Sequence, residues 1–469
     1  MTFDRLVEEL ITGRFELKCP RMELRTFRDK RIVVFQGPGG IWFDDFGQMR
    51  FSVLDSLDND TSGLKFQWLG KIAAFCQGRH LGLENDILLQ LCAWDLENIK
   101  WISRSLIPGV CLPQSNNFEL MGEISGLQSV VRPFISGDAH QAQFVILKPP
   151  PLPFTRTTST NTFRDGEQIR GSREMNWQKI SLDSLDIEFE EFRDKEFLKC
   201  QVKAKEGVRL VYNISVLIIE ALRFMICRPV VPACCSQRHS NREDLTIEGN
   251  IRSNWKSRMC PPLMQKETED FSNKWNIFKG YLIYLLKKAN DVANYSRIGD
   301  QYFRVMEAST ASLDVFMTNL TITVEGLLKI CDRTKSLCSK NSVDFADRLG
   351  QYIQKWPDYE IYKKRVDGLI GSLKSPSAKS ILYSLLDKGI VSEREIDIWD
   401  EYRHSGAHGE SLMKEDISGI DESIAIITGL LHKIVLYEIE YYGKYTSYSE
   451  EGHPNKDFEC LPNALSDSN

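Results

Sequence analysis

The apolar residues of this chain change their spacing partway along it, and no single class of fold accommodates both halves. Up to about residue 205 they come as short β-branched and aromatic runs between turn signals, as in "RIVVFQGPGGIWF", "GQMRFSVLD" and "QAQFVILKPP". From about Asp270 they recur at steps of three and four. Phe316, Leu320, Val324, Leu327 and Cys331 form one such stripe, and Phe345, Leu349, Ile353 and Trp356 form another. A third runs through Ile420, Ile424, Ile427, Leu431 and Ile434. Each stripe must be buried against another, so a helical bundle is the economical solution for the second half. The expected fold is therefore α+β, with a β-rich N-terminal domain followed by an all-α C-terminal bundle.

The expected boundaries follow the same change. Residues 1–205 read as the β-rich domain, with a Pro- and Thr-rich exposed loop near 148–175. Residues 206–265 hold one apolar helix within "VRLVYNISVLIIEALRFMICRPVV" and then an irregular connector. Residues 266–445 read as the bundle and 446–469 as a polar, disordered tail. Gly37, Gly39 and Gly40 around Pro38 read as a turn between two strands, because no Gly-Lys-Ser/Thr follows to make a phosphate loop. "FQWLGKIAAFCQGRHLGL" reads as one short helix.

At 469 residues the chain calls for two or three domains. Its formal charge of −6 excludes a broad basic surface for nonspecific nucleic-acid binding and leaves room only for a focused basic site. Glu220 and Arg223 interrupt the most apolar segment, which reads as a buried helix and not a membrane span. The first residues lack an apolar h-region, and the twelve cysteines are dispersed without a CxxC pair. A cytoplasmic protein with reduced thiols is expected. Cys227, Cys234, Cys235, His239 and Cys260 lack the knuckle spacing of a zinc site, so no metal or cofactor is expected.

One polar stretch, "EYRHSGAHGE" at 401–410, interrupts the apolar second half. Ser392 with Glu395 three residues on is a capping-box pattern that starts a helix through Ile396, Trp399 and Tyr402. Arg403 is then expected near the end of that helix, and His408 just beyond Gly406, in a break before the long closing helix. An imidazole ordinarily titrates near neutrality, so His408 suits removal of a proton from a ribose 2′-hydroxyl and its return to a leaving oxygen. Arg403 stays charged and presents a planar fork to phosphate oxygens. Together they suffice for metal-independent cleavage of RNA that leaves a 2′,3′-cyclic phosphate. Asp400, three residues before Arg403, reads as its ordinary helix partner. Glu325 stands inside an apolar stripe, which either a partner such as Arg403 or a helix-edge position exposed to water would explain.

Arg403-His404-Ser405-Gly406-Ala407-His408-Gly409 resembles the Arg-x4–6-His motif of HEPN ribonucleases, including the frequent "AHG" ending. "LTITVEGLLKI", with Glu325, is similar to the early helix of ApeA-like HEPN domains, where an acidic residue sits inside an apolar run. The family commonly has Asn after the arginine; here it is His404, which either takes the same polar role or adds a second titrating group. The resemblance implies a HEPN-like helical bundle and an endoribonuclease with Arg403 and His408 as catalytic residues and His404 and Glu325 in support. It implies RNA as substrate, a homodimer that brings two motifs together, and a role in anti-phage defence or as a regulated toxin. The N-terminal domain would then sense a phage-derived trigger, and no membrane is involved. A noncatalytic HEPN-type module that binds RNA or protein is the other reading of the same residues.

Overall fold

The structure, a computed structural model, describes residues 1–26, 29–56, 62–76, 89–104, 106–114, 117–130, 140–164, 167–211, 214–238, 243–251, 260–264, 272–289, 296–335, 340–374, 377–408 and 417–459. It is a mixed α+β chain, a large antiparallel sheet followed by a helical region. It divides into two units, one of Met1–Ser215 with Val230–Asn254, the other of Val216–Pro229 with Trp255–Asn469.

The first unit opens with α1 (Phe3–Thr12), β1 (Glu16–Thr26), β2 (Val33–Phe43), β3 (Met49–Ser56) and α2 (Ser62–Cys76). Eight strands follow: β4 (Leu89–Trp94), β5 (Lys100–Ser103), β6 (Leu106–Gln114), β7 (Asn117–Ile124), β8 (Gly126–Val130), β9 (Gln141–Leu147), β10 (Arg156–Arg164) and β11 (Glu167–Ser181). Then come β12 (Leu185–Phe192), β13 (Phe197–Ala204), α3 (Ile214–Ile226), β14 (Cys234–Arg238) and β15 (Glu243–Glu248). Among the described residues these fifteen strands form one antiparallel sheet in the order β1-β2-β3-β7-β6-β4-β5-β8-β15-β14-β9-β13-β12-β11-β10. A further pairing of β1 with β4 closes the first six strands into a ring. Phe35, Phe51, Leu91 and Leu120 fill its core.

Three sequence expectations for this unit are corrected. The Gly37–Gly40 stretch is not a hairpin turn: β2 runs straight through it, pairing with β1 on one side and β3 on the other. A Cβ on Gly37 would sit 1.7 Å from the Leu54 carbonyl oxygen, and one on Gly39 would sit 1.9 Å from that of Ser52. These glycines permit a close strand approach, which a turn reading cannot distinguish from punctuation. The Pro- and Thr-rich loop near 148–175 contains most of the β10–β11 hairpin, whose Thr-rich strand pairs by backbone register without an alternating apolar face. The irregular connector after Pro229 contains β14 and β15, which insert into the sheet between β9 and β8.

α2 is the expected short helix, and it carries a buried cation. The Lys65 ammonium donates to Asp55 at 2.8 Å and to the Ser56 carbonyl at 2.8 Å, with both charged side chains 2% exposed. The other Asp55 carboxylate oxygen accepts from the Gln36 backbone N–H at 3.0 Å, so the pair ties α2 to β3 and β2.

The second unit contains most of α3 and then α4 (Ser272–Lys288), α5 (Arg297–Ala308), α6 (Leu313–Ile330), α7 (Asp332–Lys335) and α8 (Lys340–Ile353). α9 (Tyr359–Lys374), α10 (Ala378–Asp387), α11 (Glu393–His408) and α12 (Ile417–Glu438) follow, and β16 (Tyr442–Thr446) pairs with β17 (Asn455–Glu459). The α6 and α12 stripes are buried as expected, and α12 is buried on nearly all sides, which marks it as a central helix. The α8 stripe is only partly so: Phe345 and Trp356 are exposed. The segment from Thr446 is no disordered tail as far as Glu459, because Tyr448 and Phe458 are buried and the Tyr448 hydroxyl bonds the Pro262 carbonyl. The last residues of that segment, 460–469, lie outside the described residues.

Glu220 and Arg223 show why α3 is a buried helix. The Glu220 carboxylate accepts from the Tyr281 hydroxyl at 2.8 Å and the Ser296 N–H at 2.9 Å, at the N-terminus of α5. Burial pushes its pKa up against those bonds. Arg223 lies over the Phe303 ring at 4.8 Å. Among the described residues, no helix is long and apolar enough to cross a membrane.

Candidate functional site

α11 begins with the expected capping box. The Ser392 N–H donates to Glu395 at 2.8 Å, and the Ser392 hydroxyl accepts from the Glu395 N–H at 3.4 Å. Glu395 is fully buried and is also held by the Lys433 ammonium of α12 at 2.8 Å. One turn further, Trp399 is fully buried and its indole N–H donates to the Thr321 carbonyl of α6 at 3.1 Å. These contacts lock the rotation of α11 between α6 and α12 before the chain reaches Arg403.

The Arg403 Nε donates to Glu325 Oε2 at 2.9 Å. This bond lies one helical turn beyond the Trp399–Thr321 bond on both helices, since Thr321 and Glu325, like Trp399 and Arg403, are four residues apart. The guanidinium also lies 5.4 Å from the Trp399 ring centroid. Arg403 is 40% exposed. Its Nη1 and Nη2 have no hydrogen bond among the described residues and are left for an oxyanion.

Glu325 serves two cations, since the Lys329 ammonium donates to its other oxygen at 2.5 Å. That bond first, and the Arg403 bond after it, hold the Glu325 carboxyl below the usual carboxylate range, although partial burial pushes the other way. The partner expected for Glu325 is thus the one it has. Asp400 is a correction: its carboxylate accepts from Lys379 at 2.7 Å and lies 3.4 Å from His404 Nδ1. Arg403 instead turns across to Glu325 of α6, while Asp400 is taken by Lys379.

His404 Nδ1 lies 2.7 Å from the Asp400 carbonyl oxygen. A carbonyl only accepts, so Nδ1 carries a proton, and in the neutral ring Nε2 is the nitrogen with the lone pair. His408 is the last residue of α11. The expected break at Gly406 is therefore absent: the helix continues through it to His408. The His408 side chain and the segment 409–416 lie outside the described residues.

A second histidine site escaped sequence reading. His432 on α12 is buried, its Nε2 donating to the Pro261 carbonyl at 2.9 Å and its Nδ1 accepting from the Tyr302 hydroxyl at 2.9 Å. Burial lowers its pKa to about 4, so it is neutral and structural. Its place inside the apolar α12 run was the available signal. Of the cysteines set aside above, Cys234 and Cys235 are consecutive on β14 and face opposite sides of the sheet. Cys227 and Cys260 belong to the helical unit, and burial raises the Cys227 thiol well above its ordinary pKa. His239 lies outside the described residues. No protein-family model, curated protein or solved structure matches the chain.

Proposed function

We propose that this chain is a HEPN-type endoribonuclease that cleaves RNA without a metal ion, through attack by the RNA's own 2′-hydroxyl. The observation that carries the reading is the Arg403–Glu325 bond at 2.9 Å, which fixes the guanidinium by Nε while its Nη groups make no hydrogen bond among the described residues. In this reading Arg403 binds the scissile phosphate and stabilises charge growing on its oxygens. His408, five residues on, takes the 2′-hydroxyl proton and returns one to the leaving 5′-oxygen. His404 supports it, with its tautomer set by the Asp400 carbonyl. Glu325 is a positioning residue that touches no substrate.

The wider reading is a cytoplasmic homodimer in which two motifs share a cleft, acting in anti-phage defence or as a regulated toxin. The β-rich unit would sense a phage-derived trigger. The test is cleavage of a labelled RNA by the purified chain, with and without EDTA. Cleavage that persists in EDTA, leaves 2′,3′-cyclic phosphate ends and disappears in Arg403→Ala and His408→Ala is the expected result. Cleavage that requires a divalent ion, or survives both substitutions, overturns it. RNA binding without turnover would instead favour the noncatalytic module.

A further inference from the structure

α8 and α9 pack on one another across a seam that leaves a second, apolar face open. The seam is made by Ala346, Gly350 and Ile353 of α8 and by Tyr359 and Ile370 of α9, with Gly350 against the Ile370 side chain. Beside it, Phe345, Leu349 and Tyr352 of α8 recur at steps of four and three, with Trp356 following in the connecting turn, and Tyr362, Val366, Leu369 and Leu373 of α9 recur at steps of four, three and four. That is the spacing of a coiled-coil seam, not of a solvated helix face. Yet Tyr352 is 77% exposed, Leu369 61% and Trp356 56%.

Both stripes lie on the same side of the hairpin. Phe345, Tyr352 and Leu369 each precede a seam residue by one position, a rotation of about 100° in the same sense on both helices. The helices are joined by the five residues 354–358 and run antiparallel, so equal rotations bring the two stripes to one face. The exposed area of Phe345, Tyr352, Trp356, Tyr362, Leu369 and Leu373 is on the order of 700 Å², taking each full side chain as roughly 150–250 Å². A standard protein interface covers about 800 Å² per partner, so this face has the area of one half of such an interface. Isolated exposed leucines need no explanation; a contiguous aromatic and aliphatic face of this size does.

We propose that this face is covered by the same face of a second copy of the chain, so that two α8–α9 hairpins stack into an intermolecular four-helix bundle. Two antiparallel hairpins with heptad-spaced stripes satisfy each other through a two-fold axis, since one self-complementary patch per subunit closes the assembly. This face would be the two-fold contact of the homodimer proposed above, so the inference deepens that part of the reading; it is argued from exposure and spacing, and a catalytically dead chain would assemble equally well.

The test is sedimentation equilibrium on the full chain through the low micromolar range. Wild type should be a dimer. The double variant Tyr352→Glu/Leu369→Glu should associate more than about 100-fold more weakly, because charges would be buried at the centre of the interface. Both side chains are exposed in one copy, so circular dichroism should not change, and the melting transition should lose only its dependence on protein concentration. Tyr442→Glu, at an exposed position on β16, should leave the dimer intact. A wild type that stays monomeric, including one that floats with anionic vesicles instead, overturns the proposal. So does a double variant that remains a dimer, or a Tyr442→Glu variant that dissociates equally.

Discussion

Arg403 and Glu325 meet at 2.9 Å across α11 and α6, one helical turn beyond the bond from the Trp399 indole to the Thr321 carbonyl. The two contacts advance together along both helices, so a buried tryptophan sets the register in which a half-exposed ion pair is presented. The pair itself adds little stability at that exposure. Its effect is orientation: one edge of the guanidinium is committed, and the other makes no hydrogen bond among the described residues.

Glu325→Gln should therefore separate positioning from stability. The melting midpoint is expected to move little, corresponding to less than about 1 kcal/mol. RNA cleavage should fall by about 10- to 100-fold, because a misplaced phosphate ligand is costly in rate. Arg403→Lys should lose more than Glu325→Gln, since an ammonium lacks the fork. Initial rates with a labelled RNA and a thermal melt on the same samples check both statements.

His404 and His408 should differ in kind. His408→Ala is expected to lower cleavage by about 10²–10⁴-fold, the range for a lost general acid–base group. His404→Asn should retain cleavage within about tenfold if its role is polar support. Single-turnover rates across the neutral pH range check this, and loss as deep as that of His408→Ala would make His404 the titrating group.

His432 makes stability depend on pH in a definite direction. Its folded pKa is about 4 against an ordinary value of 6.5, so between those values the unfolded chain takes up a proton that the folded chain refuses. Stability contributed by the neutral ring is present above the ordinary value and is lost as pH falls toward 4. The loss approaches roughly 3 kcal/mol from this group. Denaturant titrations at about pH 7 and about pH 4.5 should show a smaller difference in His432→Gln than in wild type.

Asp55→Ala should be among the most damaging single changes in the β-rich unit. It leaves the Lys65 ammonium buried without its carboxylate, a loss of about 3–5 kcal/mol. The double change Asp55→Leu/Lys65→Met should recover much of that loss, because the pair is replaced and not broken. Denaturant midpoints of the three variants check the comparison.

Long helices and their caps were legible in the sequence because their signals are local. The Ser392–Glu395 box, the α6 stripe and the α12 stripe each declare themselves within a few turns. β10, β11, β14 and β15 were not legible, since a strand's partners lie elsewhere and backbone pairing needs no apolar alternation. Gly37 and Gly39 looked like turn residues for the same reason: only the Leu54 and Ser52 carbonyls show that the space beside them is already occupied. At the candidate site, Arg403 was singled out by type and spacing, Glu325 by its place inside an apolar stripe, and His404 through the HEPN resemblance. Asp400 was given the wrong partner because i, i+3 proximity is visible in a sequence, whereas a carboxylate on another helix is not.

By itself, the sequence determined an α+β chain, the position of the change from one spacing to the other, and the residues of a compact arginine–histidine motif. Those follow from periodicity and side-chain chemistry, which act over a few residues. Only the tertiary structure decided that Glu325 takes Arg403, that α11 continues through Gly406 to His408, and that the α8 and α9 stripes share one uncovered face. Each of these depends on how one helix is rotated against another, and that rotation is set by distant buried side chains such as Trp399, Glu395 and Ile370.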